Sequence, residues 1–274
     1  MARSVRLTSG CDDPVDEGWS AERVARVAGT AFMFATFGVG AVLIANVMLP
    51  ILARLRRAEV APELAAQRWL QRAFAAFVRL GEVLRLWEVH TRGIEKLLTP
   101  GALVVANHPT LMDVVFLLSF MPQGHCVVKK EAWRNPALRW IVSTAGYIPN
   151  DDGEQVVDAC VERLRAGESL VLFPEGSRSP RRGLRAFKRG AAHVALRSQC
   201  PILPVLIACE PPALKKGQPI WRMPGSKLHF SFEVGDPIYA KDLVEDSDPP
   251  GLAARRVNAW LRSYYESRLE DGSE

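Results

Sequence analysis

Residues 103–120 read Leu103-Val-Val-Ala-Asn-His-Pro-Thr-Leu-Met-Asp-Val-Val-Phe-Leu-Leu-Ser-Phe120. The Val-rich run 103–106 has the composition of a short buried strand, and the second apolar run, 114–120, is long enough with its flanks to be a buried helix. Pro109 and Thr110 mark a turn between them, at the end of a strand where a strand–helix unit presents its functional groups. Two side chains in that turn can do proton chemistry, His108 and Asp113. Histidine is the one residue type whose ordinary pKa leaves a neutral base near pH 7. A carboxylate on the other ring nitrogen would fix its tautomer and stabilise the imidazolium formed on proton uptake. A structural or solvated His–Asp pair is the alternative that the spacing alone leaves open.

Outward from this stretch, strand-like and helix-like runs alternate, which predicts an α/β domain. Strands are expected at 86–91, 103–106, 126–128, 169–173, 202–207 and 228–234. Helices are expected at 113–120, 136–145, 154–166, 190–198 and 252–269, with 210–225 a long connection rich in Pro and Gly. The chain divides into residues 1–86, a polar leader with membrane-associating helices, and 87–274, the α/β domain. Residues 27–53 carry no charge, with arginines at 23 and 26 before them and at 54, 56 and 57 after them. At ~1.5 Å per residue that run is roughly 40 Å of helix, enough to cross a bilayer core. Packing as a core helix is the alternative, and the balanced arginines also suit a segment that dips into one leaflet. Residues 62–86 place Trp69, Phe74, Phe77 and Leu84 at helical spacing with arginines between, which fits an interfacial helix or one packed on the core.

Composition narrows the class. The 274 residues are 48% hydrophobic and 24% charged, with a net charge of +5, which is a globular rather than a disordered balance. A basic excess suits an anionic membrane or anionic substrates. No aromatic–basic repeat or zinc-finger spacing points to nucleic acid. Five scattered cysteines without a Cys-x-x-Cys pair speak against a disulfide framework or a cysteine metal site.

A second constellation follows the run 169–173: Phe173-Pro-Glu-Gly-Ser-Arg-Ser179. Pro174 ends a strand, and Gly176 lets backbone approach a ligand. Arg178 offers a donor fork suited to phosphate. Glu175 is a carboxylate in basic surroundings, followed by Arg181, Arg182, Arg185, Lys188 and Arg189. A solvated basic loop is the alternative. Ser177 lacks the Gly-x-Ser-x-Gly setting of an activated nucleophile.

Together these motifs resemble the lysophospholipid and glycerolphosphate acyltransferases. Asn107–Asp113 is similar to their His-x4-Asp motif, 173–179 to their Phe-Pro-Glu-Gly-Thr/Ser-Arg-Ser motif, and Pro201-Ile-Leu-Pro-Val205 to their final Pro-containing motif. The resemblance covers about residues 85–240. It implies a mixed sheet flanked by helices, N-terminal hydrophobic helices, and a site at the cytoplasmic face of the cell membrane. It implies transfer of an acyl group from an acyl carrier protein or coenzyme A thioester to a hydroxyl of a lysophospholipid-type acceptor, with no metal or cofactor. His108 would be the general base and Asp113 its partner. Glu175, Gly176, Ser177 and Arg178, with Lys130, would position the acceptor. The family's second motif usually ends in an Arg expected to hold the acceptor's phosphate, and this sequence has Asp152 there. That departure suggests an acceptor without phosphate. Residues 126–136 and 209–212 resemble a sub-branch found with bacterial aryl-polyene lipid pathways. A catalytically silent lipid-binding adaptor is the reading from another class, opposed by the intact His108, Asp113 and Glu175.

Overall fold

The computed structural model describes residues 20–43, 62–150, 153–180, 183–219 and 222–270. Two helices come first, α1 (Ala21–Leu43) and α2 (Pro62–Val83), followed by strand β1 (Trp87–Arg92). β2 (Leu103–Ala106) leads into α3 (Asp113–Phe120), then β3 (His125–Lys129), the short α4 (Lys130–Arg134), α5 (Pro136–Thr144) and β4 (Ile148–Asn150). The chain continues with α6 (Glu154–Arg165), β5 (Leu170–Leu172), α7 (Gly190–Ser198), β6 (Ile202–Glu210), β7 (Leu228–Val234) and α8 (Pro250–Glu270).

The strands form one sheet in the order β1-β7-β6-β2-β5-β3-β4. Only β6 and β7 pair antiparallel, so the sheet is mixed, as expected. β2 lies at the centre between β5 and β6, and all four of its residues are buried. A strand covered on both faces has no solvent side, so it reads as an uninterrupted apolar run rather than an alternation. Tyr265 of α8 donates its hydroxyl to the Val105 carbonyl at 2.5 Å, tying the C-terminal helix to this central strand.

β4 was not anticipated in the sequence, because it is three residues long and contains Pro149. It sits at the sheet edge, where a missing ladder donor is tolerated.

The N-terminal helices depart from the membrane-spanning expectation. α1 buries Thr30 and Met33, and its Phe37 stacks on Phe74 and meets Phe77 edge-on. α2 buries Leu70, Phe77 and Val78, in one core with Trp87, Phe116 and Phe230. Of the helical stripe at 62–86, Phe77 sits in this core and Phe74 packs against it, whereas Trp69 and Leu84 are exposed. Among the described residues no helix is long and apolar enough to cross a membrane. Residues 44–53 of the uncharged run lie outside the described residues.

Candidate active site

β2 and β5 are parallel neighbours with Val105 opposite Leu172. The loops that leave their carboxyl ends therefore emerge side by side, where open α/β sheets bind ligands. One loop carries His108 and the other begins at Phe173, and the two are stitched together by several hydrogen bonds. The Ser179 amide donates to the His108 carbonyl at 2.7 Å, and the His108 amide donates to Glu175 Oε1 at 3.2 Å. Asn107 is buried and pairs through its side chain with both backbone groups of Ile207, which fixes the loop's root to β6.

Asp113 is the first residue of α3 and has no solvent exposure. Its Oδ2 lies 2.8 Å from His108 Nδ1 and accepts the Thr110 amide at 2.8 Å, while its Oδ1 accepts the Thr110 hydroxyl at 2.5 Å. Burial pushes the Asp113 carboxyl above the ordinary carboxylate range, against the pull of His108 and then of Thr110. An ionised Asp113 can only accept, so the proton between the pair belongs to Nδ1 and the lone pair of the neutral ring to Nε2. Phe173 stacks on the imidazole with centroids 4.3 Å apart, which fixes the ring plane.

His108 lines a cavity of about 460 Å3. Val127, Val156, Val157, Leu172 and Val194 form an apolar arm running between the sheet and helices α6 and α7. Cys126 and Cys160 also line it as free thiols. Burial raises the Cys160 thiol to about 12, so it stays protonated and behaves as a small apolar wall.

The expected substrate-positioning residues take different places. Gly176, Ser177 and Arg178 line the cavity with His108. Arg178 is partly committed, because its Nη1 donates to the Leu214 and Lys215 carbonyls at 3.0 and 3.1 Å. Burial draws the Arg178 guanidinium below its ordinary pKa, while the charge on Asp113 acts in the opposite sense. Leu214 also accepts the Leu111 amide at 3.1 Å, so the connection after β6 straps the two motif loops together. Nothing in the sequence of that connection signals this, since the strap works through backbone carbonyls.

Glu175 is 4% exposed and turns away from the cavity wall. Besides the His108 amide, its Oε1 accepts the Ser179 hydroxyl at 2.5 Å and its Oε2 the Arg185 amide at 2.9 Å. The carboxylate braces one motif against the other. Lys129 lines the cavity, whereas the adjacent Lys130 opens α4 and is not part of the lining. Asp152 lies outside the described residues.

The Acyltransferase family profile covers residues 88–208. A putative 1-acyl-sn-glycerol-3-phosphate acyltransferase of Caenorhabditis elegans, acl-2, is 32% identical over 192 residues, 66% of this chain and 67% of the relative. The chain belongs to the glycerolphosphate acyltransferase family. A chloroplastic 1-acyl-sn-glycerol-3-phosphate acyltransferase of Arabidopsis thaliana is 32% identical over 128 residues, 44% of this chain, and the match spans only 36% of its length. The crystal structure of the Thermotoga maritima 1-acyl-sn-glycerophosphate acyltransferase PlsC superposes with a TM-score of 0.73 at 20% identity. It covers 91% of this chain and 97% of that one, so the α/β fold is shared over nearly its full length.

Proposed function

We propose that this protein transfers an acyl group from an acyl thioester, on acyl carrier protein or coenzyme A, to a hydroxyl of a lysophospholipid-type acceptor. One observation carries the reading: His108 is held by a buried carboxylate at Nδ1 and lines a cavity with an apolar arm. The acceptor hydroxyl approaches Nε2 and gives it a proton while the oxygen attacks the thioester carbonyl carbon. Collapse of the tetrahedral intermediate breaks the C–S bond, and the proton on Nε2 passes to the departing thiolate. Asp113 keeps its hydrogen bond to Nδ1–H throughout and stabilises the transient imidazolium. General-base catalysis of this kind is worth ~10²–10⁴-fold. The acyl chain lies in the apolar arm, where each methylene removed from water contributes about 0.8 kcal/mol.

Asp152, in place of the family's usual Arg, favours a second acceptor class, a hydroxylated lipid without phosphate as in aryl-polyene lipid assembly. Acyl-transfer assays with several thioesters against lysophosphatidic acid and a phosphate-free hydroxyl lipid test both readings. No transfer with any pair would leave the silent-adaptor reading standing.

The N-terminal region is proposed to hold the enzyme on the cytoplasmic face of the cell membrane. Val24, Phe32, Val39 and Leu43 are exposed on α1, and at 3.6 residues per turn they fall within an arc of about 100°. An apolar stripe buried in lipid resists salt, whereas arginine pairing with anionic headgroups is screened by it. The full-length chain should therefore stay with membranes through a high-salt wash, and its release by salt alone would refute embedding.

A further inference from the structure

Two groups of side chains away from His108 have the residue types that hold metal ions: Glu63, His125 and Glu168, and Glu88, His90 and His229. The first group already has its cation. Arg163 lies 2.7 Å from Glu63 and 3.2 Å from Glu168, and His125 Nδ1 is 3.0 Å from the Gly146 carbonyl. The second group is open to solvent, and none of its members lines the cavity of His108.

Its geometry follows from the pairing of β1 with β7. Successive side chains on a strand point to opposite faces. Trp87 and Val89 go to the core from β1, as do Leu228 and Phe230 from β7. Glu88, His90 and His229 therefore share the other face. The strands run parallel, with Glu88 opposite His229 and His90 opposite Ser231. Glu88 meets one histidine across the ladder and the other along its own strand. His90 Nε2 lies 3.6 Å from Glu88 Oε1, and His229 Nδ1 lies 4.0 Å from Oε2. The two imidazoles are parallel to within 7°, with centroids 6.0 Å apart.

One candidate ligand atom from each residue lies within 4.8 Å of the other two. Atoms bound to one tetrahedral zinc ion stand about 3.4 Å apart. The three side chains are between 43% and 56% exposed, so small side-chain rotations close that gap without moving the backbone. Lys227 pairs with Glu88 Oε2 and competes for it. An exposed ion pair contributes little net stability, so an ion held by three ligands displaces the lysine.

We propose that Glu88, His90 and His229 bind a divalent transition-metal ion of the zinc class, with water completing the coordination. Two imidazoles and one carboxylate select zinc, nickel or copper over magnesium and calcium, which take oxygen ligands. β1 is at the edge of the sheet and pairs with β7. An ion shared by the two strands clips that edge in place.

Calorimetric titration of the untagged full-length protein with zinc chloride, and with magnesium chloride as control, tests the site. Zinc should bind saturably and magnesium should not. In His90→Ala and in His229→Ala the zinc affinity should fall at least ~tenfold, a loss that even an outer-shell partner of a metal produces. Lys227→Ala removes the competing cation and should tighten zinc binding by about two- to fivefold, the scale of an exposed ion pair. The chain has five histidines, and His193→Ala on α7 is the control that leaves the affinity in place. Thermal melts should rise with zinc concentration in the wild type, because the ion binds the folded state, and that rise should vanish in both histidine variants. Melts without metal show that the variants are folded. Zinc affinity unchanged in both histidine variants, or no tighter than that for magnesium, would overturn the site. Unchanged or weaker binding by Lys227→Ala would overturn the place of Glu88 in it.

Discussion

His108 and His125 stand at opposite strand ends of the same parallel block of sheet. His108 follows the carboxyl end of β2, and His125 opens β3 at its amino end. Each meets a carboxylate at almost the same distance, Asp113 at 2.8 Å and Glu168 at 2.9 Å. Their surroundings separate them. Among the described residues the His108 ring is hydrogen-bonded through Nδ1 alone, and it lines a cavity. His125 is 1% exposed, with its Nδ1 3.0 Å from the Gly146 carbonyl and its Nε2 on Glu168, and Gln67 packs against the ring. Arg163 supplies the counter-charge there, 2.7 Å from Glu63 and 3.2 Å from Glu168. A histidine–carboxylate contact is therefore no mark of catalysis. The mark is a second ring nitrogen left for a substrate, beside a space where the substrate fits.

The comparison breaks most sharply at the carboxylates. Asp113→Asn removes the acceptor that fixes the tautomer of His108, and turnover should fall by ~10²-fold or more. The pH profile sharpens the point. Burial raises the Asp113 pKa, so on acidification the carboxylate takes up its proton at higher pH than an exposed aspartate would. The acid limb of kcat/KM should begin correspondingly early in the wild type, and the residual activity of Asp113→Asn should lack the aspartate's contribution to it. An acid limb identical in the two proteins would separate Asp113 from the proton transfer.

At the other end, His125→Ala should act on stability alone. It leaves the Gly146 carbonyl without its ring partner, at a cost of about 1–3 kcal/mol, while Glu168 keeps Arg163. Thermal melts should show a lower Tm, while turnover per folded molecule is retained. A selective loss of kcat would give His125 a role beyond packing.

Glu175 lies between the two cases, a buried carboxylate beside the His108 loop. Glu175→Ala leaves two amides and a hydroxyl without their acceptor, so stability should fall by about 1–3 kcal/mol. Because His108 loses an anchor, kcat should fall with it and KM for the acceptor should change little. A rise in acceptor KM at constant kcat would instead make Glu175 a substrate ligand.

The smallest expected effect concerns the apolar arm. Val194→Phe shortens it and should shift preference toward shorter acyl chains, at about 0.8 kcal/mol per methylene excluded. Thioesters of graded length would report the shift.

These contrasts also explain what could be read from the chain. β2, β5 and their motif loops were legible because a doubly covered strand is an apolar run, and the motifs hang from its end. The pairing of His108 with Asp113 followed from the turn between them. The bracing by Glu175 was not legible, since its partners are two backbone amides and Ser179, and a carboxylate in a basic loop reads as a ligand for substrate. The surroundings of the N-terminal helices were not legible for a related reason: an uncharged run does not say whether protein or lipid covers it. Here Met33 and Phe37 face protein, while Phe32 and Val39 do not. His125 drew no attention in the sequence, because its partners lie 21 to 62 residues away in α2, in the turn before β4 and after α6.

The most direct test of the account is turnover by His108→Ala, measured with a long-chain acyl thioester and a lysophospholipid beside His125→Ala, at a temperature where melts show both variants folded. The account predicts a loss of at least ~10²-fold for His108→Ala, the scale of a general base, and wild-type turnover for His125→Ala. Near-normal turnover by folded His108→Ala protein would contradict it.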